Sequence, residues 1–134
     1  MVPKQVKTRL VNRDLYSNYW LKASEYKESM IDNLTKNRFN AAAGDAVHCV
    51  ISAADALLVW LAGKRSASEN HGDLVYLLQR HVKSSANINR LKSILQVKSQ
   101  IEYGERLYPK GKAEEMVKKA ERFYDWIAGQ LPKY

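Results

Sequence analysis

Arg65 and His71 bring a permanent cation and a titratable imidazole into one short segment, with five residues between them. Ser66 and Glu69 fall between them at capping-box spacing, so a helix is expected to start here, its free backbone N–H groups favouring an anion. A phosphate would suit that arrangement, with the imidazole able to gain or lose a proton near neutral pH. A structural reading also fits. Arg65 would answer the dipole of the preceding helix, Ser66 and Glu69 would cap the next, and His71 would lie on its solvated side.

A second constellation lies upstream, where Asp45, His48, Ser52 and Asp55 are spaced three, four and three residues apart. On a helix that spacing puts all four on one face of an otherwise apolar segment. Burying such groups unpaired costs on the order of 1–3 kcal/mol each, so the stripe must meet neighbouring helices, water, a groove or another subunit. No second histidine falls at helical metal-binding spacing from His48, and no metal or other cofactor is expected. A glycine-rich phosphate loop, a Cys/His cluster and a nucleophilic triad signature are all missing from the sequence.

The elements that must position these residues read as helices. The chain has 134 residues, enough for one domain with a real core. Residues 1–11 read as a basic N-terminal arm, with Lys4, Lys7 and Arg9, leading to Asn12 as a helix cap; residues 12–134 read as one bundle. Tyr16, Trp20, Ala23, Tyr26, Met30 and Leu34 form the apolar stripe of a first, amphipathic helix. Ala41 to Ala62 is apolar nearly all round and belongs at the centre, with Gly63 as its left-handed stop. A short third helix follows the capping box, and a fourth runs from the Ser84–Asn87 caps through Ile88, Leu91, Ile94 and Ile101 to Gly104. Pro109 and Gly111 mark a loop before a last helix carrying Ala113, Met116, Ala120, Phe123 and Ile127. The expected fold is all-α: an up-and-down bundle of four to five helices around a buried second helix.

Composition narrows the setting. Twenty-two Lys and Arg against 14 Asp and Glu leave a net charge of +8, which favours polyanions or an acidic partner. Cys49 is the sole cysteine and sits in an apolar run, so no internal disulfide is expected and the cytosol is the natural compartment. The start lacks a signal peptide's apolar core, and Asp45, His48, Ser52 and Asp55 interrupt the longest apolar stretch; no membrane association is expected.

Several pieces of the sequence resemble the HEPN domains, small helical bundles of prokaryotes and higher eukaryotes. They are Asn40–Ala43 through Ala46-Val47-His48, Ala53 through Leu57, Arg65-Ser66 with Asn70-His71, and Lys98 through Glu102-Tyr103-Gly104. The likeness spans roughly Tyr19 to Leu131 and is nearest to a bacterial and archaeal branch without assigned function. HEPN nucleases carry an Arg and a His separated by four to six residues, which Arg65 and His71 satisfy. Directly after the Arg the nucleases usually have Asn, Asp or His, where this chain has Ser66. The tyrosine found in toxin members two residues past the His would fall on Asp73.

The resemblance implies a homodimer whose two copies of Arg65 and His71 face one cleft and cleave RNA without a metal, in the manner of a toxin or defence endoribonuclease. His71 would act as general acid or base and Arg65 would stabilise the phosphate, with Ser66 and Asn70 positioning them. Asp45, His48, Ser52 and Asp55 would line or support the cleft, and Lys98 and Tyr103 would be supporting positions. The alternative implied is a non-catalytic module that binds a nucleotide, RNA or protein; a third is a dimeric interaction protein. A cognate antitoxin or a nucleotidyltransferase-type protein is the corresponding protein partner.

Overall fold

The computed structural model describes residues 5–132, so the first residues of the basic arm, Lys4 among them, lie outside it. The chain forms an all-α bundle built on a buried second helix. Its α-helices are α1 (Tyr16–Thr35), α2 (Phe39–Ala62), α3 (His71–Gln79), α4 (Ser85–Gln96), α5 (Lys98–Tyr103) and α6 (Lys110–Gln130). Two three-residue strands, β1 (Thr8–Leu10) and β2 (Lys64–Ser66), pair antiparallel.

The position of α2 follows from its composition. Ala42, Ala43, Ala46, Ala53, Ala54 and Ala56 are fully buried and, having no side chain beyond Cβ, let neighbouring helices approach closely. Met30 of α1, Leu78 of α3, Leu91 of α4 and Phe123 of α6 fill the space around it, each fully buried. By length and composition alone α2 could cross a membrane, but most of its residues pack against other parts of the chain, as in a core helix. Asn37 (φ 60°) turns the chain between α1 and α2, and Gly63 (φ 64°) ends α2 in the left-handed conformation that glycine adopts without strain.

Three expectations are corrected here. Ser66 and Glu69 do not form the cap of α3: Ser66 is taken into β2, and Asn70 caps the helix, its Oδ1 accepting from the Gly72 N–H at 2.8 Å. Tertiary pairing with the N-terminal segment outcompetes the local pattern, and α3 starts at His71. The fourth helix does not run unbroken to Gly104. Val97 (φ −100°, ψ 2°) interrupts it, and the following turn and a half, α5, packs on α2. No sheet was expected, yet Thr8, Arg9 and Leu10 lie opposite Ser66, Arg65 and Lys64, a ladder flanked by Val11 N–H to Gly63 O and Ala67 N–H to Lys7 O bonds, both 2.9 Å.

Candidate functional site

The first turn of α3, the end of α4 and the whole of α5 enclose an open groove of about 530 Å³. Asn70, His71, Val75, Lys92, Lys98 and Tyr103 line it. His71 stands at the first position of α3 because the Asn70 cap sets the helix start one residue before it. Its pKa is lowered from the ordinary 6.5, first by burial and then by the Lys98 ammonium and by His48, against an opposing pull from Glu102. A neutral imidazole that can accept a proton at neutral pH is the result.

Glu102 joins the groups behind this groove. Its Oε2 accepts from Lys98 Nζ at 2.8 Å across one turn of α5, and its Oε1 lies 3.5 Å from His48 Nε2 on α2. The Lys98 hydrogen bond holds the Glu102 carboxyl below the usual range. His48 is flanked on its other side by Tyr26 of α1, with ring centroids 5.2 Å apart. The break at Val97 therefore matters to the site, since it is α5 that carries Lys98, Glu102 and Tyr103 over the polar face of α2.

Arg65 occupies a different neighbourhood. Its guanidinium lies 5.7 Å from the centre of the Tyr19 ring, and its Nε is buried without a hydrogen-bond partner among the described residues. Its charge acts on Asp55, whose carboxyl burial pushes up to about 6 while Arg65 and then Lys22 pull it back. Arg9 faces Arg65 across the β-ladder, and like charges in directly opposed positions repel. An anion between or beside them relieves that repulsion.

The residues selected from the sequence thus divide. Asn70, His71, Lys98 and Tyr103 line the groove, with His48 behind it. The Arg65 charge acts on Asp55 farther along the α2 stripe, and seven residues of helix rise put Asp55 about 10 Å along the axis from His48. Asp45 is engaged in the α1–α2 contact, accepting from Ser29 Oγ at 2.6 Å and Asn33 Nδ2 at 2.8 Å. Ser52 is buried between these groups. Ser66 is also buried, and its hydroxyl accepts from the Ser68 N–H at 3.2 Å, which ties it to its own loop. Lys92, Glu102, Tyr19 and Arg9 were not expected at the site, although Arg9 belongs to the basic arm and Glu102 to the HEPN-like motif; the i,i+4 spacing signals the Lys98–Glu102 pair, while chain-distant packing places Tyr19 and Arg9. Among the described residues no three His, Cys, Asp or Glu side chains are grouped to hold a metal ion.

A helical hairpin with a polar stripe along its inner helix, flanked by the Arg65 strand on one side and the His71 groove on the other, defines a small helical-bundle domain. The family model of the HEPN domain matches residues 16–131, and the chain belongs to that family. The match runs from the first residue of α1 to just past α6, so β1 lies outside it. No curated protein matches the chain in sequence.

Proposed function

We propose that this chain is a cytosolic HEPN endoribonuclease of toxin or defence type that works as a homodimer, with Arg65 and His71 of both copies bordering one RNA-binding cleft. The observation that carries this reading is His71: it lines an open groove beside Lys98 and is biased toward its neutral form. In the proposed step, His71 takes the proton of a ribose 2′-OH, whose oxygen attacks the adjacent phosphorus. The bond to the 5′-oxygen breaks, and that oxygen receives a proton from a water molecule whose hydroxide is neutralised by the imidazolium just formed at His71, leaving a 2′,3′-cyclic phosphate and a 5′-hydroxyl. Arg65 meets the charge that develops on the phosphate. A cleft shared by two copies would bring Arg65 of one copy to His71 of the other, which have different neighbours within one copy. A cognate antitoxin or nucleotidyltransferase-type protein would cover the cleft when activity is held off.

Incubating the purified protein with RNA in excess chelator tests the proposal. Cyclic-phosphate ends should form, and His71→Ala should lower the rate by about 10²- to 10⁴-fold. Cleavage that continues undiminished in that variant removes the site.

A second reading has its own observation. Arg65 stacks beside Tyr19, its charge acts on Asp55, and Ser66 replaces the usual Asn, Asp or His, which suits a module that binds RNA or a nucleotide without turnover. Salt-dependent RNA retention with intact product-free RNA, weakened by Arg65→Ala, is the outcome that favours it.

A further inference from the structure

Tyr103 is 80% exposed, although it is an aromatic residue at the end of a helix that packs on the core. It borders the same groove as His71. The groove has an apolar component in buried Val75 and half-buried Leu95, with Lys92 and Lys98 beside it. Lys98 is held in place by Glu102 one turn along α5. An uncovered ring, an apolar wall and two ammonium groups, one of them paired with Glu102, within a space of about 530 Å³ that Glu69 also borders, match the parts of a nucleotide: a flat base, a sugar and a phosphate. Leu107 is equally exposed, at 82%, but lies outside this groove, in a depression that it shares with Arg38.

We propose that the groove between α3, α4 and α5 is a single-base subsite, in which one unstacked nucleobase lies on the Tyr103 ring while Lys92 and Lys98 take the flanking phosphate. This rests on the RNA reading above and assigns one base-binding subsite within it. A paired base cannot leave its stack to cover Tyr103 without the cost of unpairing, so duplex RNA is disfavoured at this position. His71 shares the groove, which puts the bound nucleotide next to the bond to be cut.

The test uses a fluorescein-labelled 2′-O-methyl oligonucleotide of about six nucleotides, which lacks the attacking hydroxyl and so reports binding apart from turnover. Anisotropy titrations compare the wild-type protein with Tyr103→Ala, Tyr103→Phe and Leu107→Ala. Loss of the ring should weaken binding about 5- to 150-fold, while Tyr103→Phe stays within about twofold and Leu107→Ala is unchanged. The duplex of the same oligonucleotide should bind more weakly than the single strand. Equal binding by wild type and Tyr103→Ala overturns the subsite, as does equal loss in Tyr103→Ala and Tyr103→Phe, which would assign the effect to the hydroxyl.

The parallel cleavage assay keeps the two ideas apart. A His71→Ala variant that cleaves normally, together with a Tyr103→Ala variant that binds poorly, sinks the nuclease and keeps the subsite. The reverse pattern keeps the nuclease and sinks the subsite. A wild-type protein that retains no oligonucleotide sinks both.

Discussion

Replacing Asp55 by Asn removes an ionisable group that is 7% exposed and leaves its shape almost unchanged. Burial lifts its carboxyl from 3.8 to about 6, even though Arg65 and Lys22 pull the other way. The folded chain therefore binds this proton more tightly than the unfolded chain does. The stabilisation that comes from holding the proton is complete below about pH 4 and is lost as pH rises through about 6. A rise of that size corresponds to a cost on the order of 3 kcal/mol for keeping the group ionised at pH 8. Asn cannot ionise, so Asp55→Asn should match the wild type near pH 4 and exceed it by up to about 3 kcal/mol near pH 8. Urea denaturation followed by far-ultraviolet circular dichroism, repeated across that pH range, measures the difference directly. The difference should grow between about pH 4 and 6 and level off above that, at unchanged denaturant slope. If Asp55→Asn is instead the less stable protein and the deficit widens as pH rises, attraction to Arg65 outweighs burial and the reasoning fails.

Other outcomes follow from the same structure. Because burial and Lys98 lower the His71 pKa, the acid limb of the kcat/KM profile for RNA cleavage should fall below the ordinary 6.5, and Lys98→Ala should move that limb upward. Phe123→Ala opens a cavity at a fully buried position in α6 and should cost about 3–5 kcal/mol by urea denaturation. Asn70→Ala deletes the 2.8 Å cap bond to the Gly72 N–H and should cost about 1 kcal/mol, visible as a lower thermal midpoint. Gly63→Ala forces a Cβ into the left-handed region at φ 64° and should destabilise by about 1 kcal/mol in the same melt.

The helices that carry the core were legible because each announces itself locally. The alanine-rich run of α2 reads as central from composition, the stripe from Ala113 to Ile127 reads as one face of α6, and Gly63 reads as a stop. What escaped notice depends on partners far along the chain. Thr8–Leu10 is too short to show an alternating pattern, and its pairing with Lys64–Ser66 depends on the end of α2 being next to it. That pairing withdraws Ser66 from the capping role its spacing suggested. The break at Val97 has no glycine or proline to mark it. The Arg65 and His71 spacing was readable, but their separate surroundings were not. Tyr19, Lys22 and Asp55 gather around one, and Lys98, His48 and Glu102 around the other, through packing of α1, α2 and α5.

The three-residue β-ladder sets an unequal mechanical footing for the two residues. His71 opens a helix whose buried leucines tie it to the core, so displacing it disturbs the bundle. Arg65 rides on a strand held from outside by Thr8–Leu10, whose side chains are all exposed. Such a short, solvated ladder opens at far lower free energy than the helices beneath it. The amide protons of Val11 and Ala67, which close its two ends, should exchange with solvent long before those in the middle of α2. An opening of the ladder alone would therefore free the Arg65 backbone without unfolding of the domain, leaving its side chain held beside Tyr19.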